Sequence, residues 1–566
     1  MRQIYYDCAV VFFSAFALAW TTASTPLLAQ NIQVTSATPP AAAQGTTNLN
    51  VVVGGNGFAK GAKAAFYLSG TTNPAGVTVN STAFNSKSQV TANITISDTA
   101  TISSFDVVVQ NTDGRSGKGT KLFQVTVKGT PTGCTTLGTP STFTLVTTLN
   151  SINASGNPTY PAGFGGEIRV RPVTVNNGTN SRTVLVAAVS TNGVGTMDFF
   201  ILDPATGQVL DGQSLLAGSP PQPHISVAYT GSGFVSFSAG DVNGDGIPDF
   251  VGGLGGADVF VGHMDSQGIL SYELFQLTPP SGSPAHFGSG VAMGNLDGGL
   301  GDDVVVGASG GGSGGSALAG AVFIYAFTGS GFGLIDTLDD PLPNAKNNDN
   351  FGYSVAVGEV TSPLAPNLIV GANNANVNGN AAAGRVFVFP APISSPTTYY
   401  TLATGIKGDG LGRDVGSGNV NGSVDVFGTT GWGIPDTKVA IFTGPIAGSK
   451  TSPNLVFASD PRLSSDGWST NLEYGDMLGD GHTELFVGVP NASNSACSVS
   501  VGAAELFFPS TSNLNQPTFT FQPLTIPDKF NAYGWGVGLV PGSAGNPPLV
   551  LVGETGPGQV YVYKKN

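Results

Sequence analysis

The 566-residue chain contains 82 glycines but only 10% charged residues, and its formal net charge is −14. So much glycine and so little charge disfavour long solvated helices and favour short strands joined by tight turns. The acidic excess argues against nucleic acid or an anionic membrane surface as a partner.

The first 29 residues have the pattern of a secretory signal peptide. Arg2 precedes an apolar run from Ala9 to Trp20, and small residues lead to Ala29. No later stretch approaches the roughly 18 to 20 apolar residues that a membrane helix needs. We therefore expect a secreted or cell-surface protein with no membrane span after signal removal. The two remaining cysteines, Cys134 and Cys497, either pair in an oxidising compartment or stay as unpaired thiols.

Residues 30–129 predict a small β-sandwich. Strand-like runs are separated by Gly, Asn and Pro at intervals of about ten residues or a little more. These runs are Leu49–Val53, Lys63–Leu68, Gln89–Ile96, Phe105–Gln110 and Lys121–Val127. Their number and rhythm indicate an immunoglobulin-like fold.

Three segments of this region resemble landmarks of the IPT/TIG family: Thr38–Pro40, Gly54–Phe58 and Val107–Gly114. The resemblance implies a spacer or interaction module. Residues 130–140 contain two prolines and predict a linker.

A repeat fills residues 141–566. A bulky residue, usually followed by glycine, recurs at spacings of 69, 54, 64, 60, 57 and 65 residues. The anchors are Phe164, Gly233 (beside Phe234), Phe287, Phe351, Leu411, Trp468 and Tyr533. Four short apolar runs per unit predict an all-β fold, a seven-bladed β-propeller of four-stranded blades. The last unit ends after its third run, so we expect Thr142–Leu149 to complete it and close the ring.

The units resemble the FG-GAP repeats of the integrin α-subunit propeller. The likeness is carried by Phe287-Gly288 through Gly307-Ala308, by Phe351-Gly352 through Gly371-Ala372, and by the loop at Asp241. The resemblance implies seven blades with cations bound in hairpin loops on one face.

The segment Asp241–Asp249 reads D-V-N-G-D-G-I-P-D and carries oxygen-bearing side chains at alternate positions. Ca²⁺ takes six to eight oxygen ligands. Asp241, Asn243, Asp245, Asp249 and the Ile247 carbonyl are the candidate ligands. Since strand-like runs flank the loop, the sequence predicts calcium in a β-hairpin.

Three other loops keep part of this pattern. A secondary site is predicted at Asp476, Asp480, the His482 carbonyl and Glu484, where Leu478 replaces one ligand. Weaker sites are predicted at Asn295, Asp297 and Asp303, and at Asn419, Asn421, Ser423 and Asp425. Loops that open with Pro172, Glu359 and Pro541 are predicted to be metal-free. For every loop the alternative is a hydrogen-bonded Asx turn without an ion.

No catalytic constellation is evident. The four histidines, His224, His263, His286 and His482, have no zinc-ligand spacing, and the G-x-S-x-G matches near Ser309 and Ser313 lie in a glycine-rich loop. We expect a monomeric, non-enzymatic, calcium-binding adhesion module for an extracellular protein or polysaccharide. The alternatives are a lectin using Trp432, Trp468 or Trp535, and a calcium-dependent lyase or hydrolase of polysaccharides.

Overall fold

The chain forms two compact units, Met1–Lys128 and Gly129–Asn566. The computed structural model describes residues 32–97, 100–126, 136–151, 161–191, 195–229, 233–282, 285–310, 319–342, 349–362, 365–391, 393, 398–430, 438–464, 471–494, 500–509, 516–523, 532–543 and 545–566. All regular structure in these ranges is β-strand, and they contain no helix long and apolar enough to cross a membrane. The predicted signal peptide, both mature cysteines, Trp432 and Trp468 lie outside the described residues.

The first unit consists of two four-stranded sheets, ordered β1-β3-β6-β5 and β2-β8-β7-β4. The strands are β1 (Gln33–Thr38), β2 (Ala41–Ala43), β3 (Leu49–Asn56), β4 (Lys63–Leu68), β5 (Val77–Ser86), β6 (Gln89–Ile96), β7 (Ser103–Gln110) and β8 (Ser116–Thr126). Along β6, buried residues alternate with more exposed ones, because one face of the strand packs on a core that includes Val51, Phe66 and Phe105. The predicted strands at β4 and β6 are confirmed with the same bounds. Strand β5 was not predicted, since its Asn, Ser and Thr residues are mostly exposed and give no apolar alternation.

The second unit contains seven four-stranded antiparallel sheets and one two-stranded sheet, β30-β33, within the described ranges. We number the four-stranded sheets 1 to 7 along the chain. Strand β9 (Phe143–Leu149) precedes them. Sheet 1 is β10 (Phe164–Asn176), β11 (Ser181–Thr191), β12 (Thr196–Leu202) and β13 (Ile225–Ala228); sheet 2 is β14 (Ser236–Gly240), β15 (Asp249–Gly253), β16 (Ala257–Met264) and β17 (Leu270–Leu277); sheet 3 is β18 (Phe287–Gly294), β19 (Asp303–Ala308), β20 (Ala321–Phe327) and β21 (Phe332–Asp339).

Sheet 4 is β22 (Phe351–Ser362), β23 (Ala365–Ala372), β24 (Arg385–Pro390) and β25 (Tyr400–Leu402); sheet 5 is β26 (Val415–Asn419), β27 (Val424–Thr429), β28 (Lys438–Phe442) and β29 (Leu455–Ala458). The small sheet joins β30 (Leu463–Ser464) to β33 (Ser493–Asn494). Sheet 6 is β31 (Leu472–Gly475), β32 (Glu484–Val489), β34 (Ala503–Phe507) and β35 (Phe519–Phe521); sheet 7 is β36 (Tyr533–Val540), β37 (Leu549–Glu554), β38 (Gln559–Lys565) and β9.

The second strands read as continuous apolar runs because both of their faces are covered. Every residue of β19 and of β32 is buried. The fourth strand β17 mixes buried and exposed positions instead. In sheet 5 the strands β27 and β28 are also buried except at their first residues.

The first strands of the seven sheets contact one another in order, and β36 of sheet 7 contacts β10 of sheet 1. The sheets therefore follow one another in a closed cycle. Sheet 7 takes its fourth strand from β9, which pairs antiparallel with β38. The expected completion of the last sheet by the segment near Phe143 is confirmed.

Side-chain oxygens link the first strands of neighbouring sheets. The Val291 N–H donates to Ser236 Oγ at 2.9 Å, and the Leu472 N–H donates to Asp414 Oδ2 at 3.0 Å. Ser289 and Ser354 donate their hydroxyls to carbonyls of the next sheet. These bonds satisfy main-chain groups at the centre of the cycle.

Glycines allow neighbouring sheets to approach closely. A Cβ on Gly307, in β19, would lie 1.9 Å from the carbonyl oxygen of Gly352, the residue after the anchor Phe351. Gly352 has φ +82°, a conformation that glycine adopts without strain. The same approach joins Gly253 to Gly288, Gly371 to Gly412, Gly488 to Gly534 and Gly553 to Gly165. In these pairs the glycine of a second strand therefore contacts the glycine near the start of the first strand in the next sheet.

Candidate functional site

The predicted calcium loops connect the first strand of a sheet to its second strand. Asp241 follows β14, and Asp249 begins β15 opposite Gly240. The loop beginning at Asp476 has the same place in sheet 6, where Gly475 pairs with Glu484. We call the first residue of each loop position one, so that Asp249 and Glu484 are both at position nine. All four candidate loops therefore leave the same end of the first strands.

In the Asp241 loop the acidic side chains bind main-chain N–H groups. Asp241 accepts from the N–H of Asp245 at 3.1 Å and of Gly246 at 2.8 Å. Asp245 accepts from the Ile247 N–H at 2.8 Å, and Asn243 accepts from the Asp245 N–H at 3.0 Å. These contacts have the form of the Asx turns that were the alternative to a metal site.

Asp249 is buried beneath this loop. The N–H groups of Val242 and Gly262 each donate to one of its carboxylate oxygens at 2.7 Å. Burial raises the pKa of Asp249 to about 7 against these two hydrogen bonds, and the carboxylates of Asp241 and Asp245 add to the rise. A cation bound in the loop would offset this accumulation of negative charge.

Position nine has a structural role that the sequence pattern did not reveal. In four sheets its side-chain oxygen accepts the N–H of loop position two, which is a buried apolar residue, and in the shortened loop of sheet 5 the residue at position seven does the same. The pairs are Val242 with Asp249, Leu296 with Asp303, Val360 with Asn367, Val420 with Asp425 in the shortened loop, and Met477 with Glu484. Because neutral Asn367 makes the same bond in a loop predicted to be metal-free, an oxygen at this position is not by itself evidence of a metal. The sequence feature that could have revealed this role is the apolar residue at loop position two.

The Asp476 loop differs from the Asp241 loop in one respect that bears on a cation. Glu484 is fully buried, and its Oε2 accepts the Met477 N–H at 2.6 Å, whereas its Oε1 is buried without a hydrogen-bond partner. Burial, with a contribution from the carboxylates of Asp480 and Asp476, raises the pKa of Glu484 to about 7 against hydrogen bonds from the N–H groups of Met477 and Leu478. An unsatisfied carboxylate oxygen beside two acids is the environment that a bound cation stabilises.

The polar side chains of the two weaker loops are held by hydrogen bonds. Asp303 accepts the N–H groups of Leu296 and Asp297 at 2.8 and 3.0 Å, and Asn295 accepts the Gly298 N–H. In sheet 5, Ser423 Oγ lies 2.9 Å from Asp425 Oδ1 and 3.2 Å from Asn421 Oδ1. The amide of Asn419 reaches the Gly481 carbonyl in the loop of sheet 6. These loops can therefore keep their shape by hydrogen bonds alone.

Throughout the described part of the chain, no three His, Cys, Asp or Glu side chains converge in an arrangement that could hold a metal ion. The residue types of the Asp241 and Asp476 loops nonetheless fit Ca²⁺, because carboxylate, amide and carbonyl oxygens are its usual ligands. The unpartnered Glu484 oxygen is the structural feature that favours a cation. Calcium at these loops accordingly stays a prediction.

A second candidate site lies on the axis of the cycle. A cavity of about 720 Å³ is lined by residues of the first strands of all seven sheets or directly adjoining them, among them Arg169, Ser236, Val355, Glu473 and Trp535. The serine at 309, part of a literal G-x-S-x-G match, also lines it, but no histidine hydrogen bond to it is present among the described residues. The cavity has the size of a small-molecule site.

Charged side chains meet across this cavity. Arg169 Nε lies 3.2 Å from Glu473 Oε2, and Arg171 Nη1 lies 3.3 Å from Glu473 Oε1. Burial raises the pKa of Glu167 to about 8 and that of Asp414 to about 7, although Arg169 acts in the opposite direction on both. The cluster joins sheets 1, 5 and 6.

Sequence reasoning missed this cluster, although a signal was present. Glu167, Arg169 and Arg171 occupy alternate positions of one strand, and alternate residues of a strand share a face. Three charges on one face of a strand are conspicuous in a chain with so few charges. Their partners Asp414 and Glu473 lie far along the chain and could not be assigned from the pattern.

Comparison of the chain with protein-family models and with curated proteins finds no match.

Proposed function

We propose that the second unit is a seven-bladed β-propeller of the FG-GAP type that binds calcium and acts as a non-enzymatic interaction module outside the cell. Its partner would be an extracellular protein or polysaccharide. The first unit would be an immunoglobulin-like, IPT/TIG-like sandwich. The closed cycle of seven four-stranded sheets and the glycine pairs between them support the architecture.

The observation that carries the calcium proposal is the buried, unpartnered Glu484 Oε1. In the Asp476 loop, Asp476, Asp480, Glu484 and the His482 carbonyl would hold the ion. In the Asp241 loop the ligands would be Asp241, Asn243, Asp245, Asp249 and the Ile247 carbonyl. Calcium would balance the negative charge of each loop and stabilise hairpins that are otherwise held by hydrogen bonds alone.

The proposed calcium loops and the exposed apolar side chains that line the axial cavity lie at opposite ends of the first strands. The loops follow the C-terminal ends of the first strands, whereas Val235, Leu254 and Trp535, which are exposed and line the axial cavity, lie near the N-terminal ends. We therefore assign a structural role to calcium and a binding role to the axial cavity.

Calcium titration with thermal unfolding tests this function. A ligand present at 100 times its Kd stabilises the folded state by about 2.7 kcal/mol, so calcium should raise Tm relative to chelator. Glu484→Gln and Asp241→Asn should each reduce the calcium-dependent part of the increase, because each removes a charged ligand.

Asp265→Asn is the matched control. Asp265 accepts the N–H groups of Gln267 and Ile269 at 2.8 and 2.9 Å in a turn that was not predicted to bind metal. This variant should keep the full response to calcium. Identical Tm values in calcium and in chelator for the unsubstituted protein would contradict the proposal.

A further inference from the structure

The axial cavity concentrates positive charge in an acidic protein. Three of the eight arginines of the chain, Arg169, Arg171 and Arg413, line it. Among the described residues that line it, two are acidic, Asp414 and Glu473. Burial raises the pKa of Asp414 to about 7, so this carboxyl is partly neutral near neutral pH. The balance of charge in the cavity favours an anionic ligand.

Arg171 has N–H donors that the described residues do not use. Its Nη1 contacts the Val170 carbonyl at 2.8 Å and Glu473 at 3.3 Å, while the described residues offer no acceptor to Nε or Nη2. Its side chain is 37% exposed. A guanidinium presents a planar fork of N–H donors that matches a carboxylate. Arg171 can therefore bind an incoming carboxylate while it keeps its contact with Glu473.

The cavity also has an apolar and aromatic surface. Trp535 is 37% exposed, and the Arg413 guanidinium carbon lies 5.8 Å from the centre of the Tyr353 ring. An exposed tryptophan beside polar groups suits a ligand with one flat, weakly polar face and several hydroxyls. A sugar ring has both features.

The two parts of the site lie at different depths. A Cβ on Gly538 would contact Ile168, so these two residues lie at about the same depth. Trp535 lies before Gly538 on one strand, and Arg171 lies after Ile168 on the neighbouring strand. Since a strand advances about 3.3 Å per residue, roughly 15 to 20 Å separate Trp535 from Arg171 along the axis. A ligand that contacts both residues must be extended, which favours an oligosaccharide over a single small acid.

We propose that the axial cavity binds an acidic oligosaccharide, with the carboxylate of a uronic acid unit on Arg171 and a sugar ring stacked on Trp535. This inference rests on the proposed function, because it names the site and the ligand class of the interaction module. The bond formed is non-covalent, and no reaction is implied.

Isothermal titration calorimetry with tri-galacturonic acid, without added calcium because uronates bind calcium themselves, tests the site. The unsubstituted protein should show saturable binding, and neutral galactotriose should bind at least tenfold more weakly. Arg171→Gln should weaken tri-galacturonic acid binding at least tenfold, with a smaller loss for Arg171→Lys, which keeps the charge but not the fork. Trp535→Ala should weaken binding of both sugars.

Arg182→Gln is the control, because Arg182 lies on the adjacent strand β11 and pairs with Asp203 outside the cavity. It should leave affinity unchanged, and Tm values of all variants show whether they fold. The inference is wrong if tri-galacturonic acid does not bind, if galactotriose or hexaglutamate binds as tightly, or if folded Arg171→Gln behaves like Arg182→Gln. A calcium-dependent rise in Tm together with no sugar binding would refute this site and leave the proposed function standing.

Discussion

At the scale of single residues, some of the few charges of this protein lie in buried groups whose members satisfy one another. His224 is the clearest example. Its Nδ1 lies 2.8 Å from Asp211 and its Nε2 lies 3.3 Å from Asp198, which also accepts the Ser151 hydroxyl at 2.8 Å. Burial opposes the charged imidazolium, but the hydrogen bonds to Asp198 and Asp211 outweigh it and raise the pKa of His224 to about 9.

This pKa predicts how stability changes with pH. Because the folded-state pKa lies above the ordinary value of 6.5, the contribution is complete below pH 6.5 and is lost as the pH rises through about 9. His224→Gln should lower the free energy of unfolding by up to about 3 kcal/mol at pH 6 and flatten its dependence on pH between 6.5 and 9.

Urea denaturation across this range measures the effect. His263→Gln is the control, since His263 forms only an exposed pair with Glu273 at 3.5 Å and should change stability little. If the free energy of unfolding depends on pH equally steeply in His224→Gln, groups other than His224 cause that dependence.

At the scale of elements, the repeat motif is explained by contact between sheets. The glycine that ends a second strand and the glycine after the next anchor are both required, because main-chain atoms of neighbouring sheets meet there. The anchors Phe164, Phe287, Phe351, Leu411 and Tyr533 are buried beside these contacts. Each of these anchors belongs to a hydrophobic core cluster of the second unit.

Gly307→Ala should destabilise the second unit by about 1 to 3 kcal/mol, because the new methyl group would overlap the Gly352 carbonyl, which is main chain and cannot rotate away. Gly331→Ala is the matched control, since a Cβ there meets no atom within 4 Å. Its effect should be within about 0.5 kcal/mol. Equal midpoints in chemical denaturation for the two variants would disprove the role given to Gly307.

At the scale of the whole molecule, closure depends on a strand that comes before the first sheet in the chain. Strand β9 covers the edge of β38, and Phe143 packs edge-to-face on Phe519 and Phe521 of sheet 6, with ring centres 5.3 and 5.0 Å away. Without β9, sheet 7 would expose an unpaired edge and part of the core between sheets 6 and 7.

Two truncations test this closure. A protein of residues 129–566 keeps β9 and should unfold cooperatively, whereas one of residues 150–566 lacks it and should show a lower Tm and a tendency to aggregate. Circular dichroism on heating and light scattering measure both properties. Equal Tm values for the two truncations would mean that β9 does not contribute to closure.

The strand pattern was readable from the sequence because its causes are local. Buried second strands give apolar runs, and glycines mark the places where sheets approach closely. The last repeat unit contains only three runs, so the strand-like run before the first unit was the candidate for its fourth strand. The bounds of β4 and β6 could be predicted for this reason.

The tertiary structure alone decided which charges meet and which loop oxygens remain free. Arg169 and Glu473 lie about 300 positions apart in the chain and adopt their pairing only when sheets 1 and 6 are brought together around the axis. Likewise the sequence ranked the Asp241 loop first, because it counts ligand types, yet the buried oxygen without a partner is in the Asp476 loop. Local residue patterns determine strands and turns, whereas the satisfaction of a buried polar group depends on neighbours that only folding supplies.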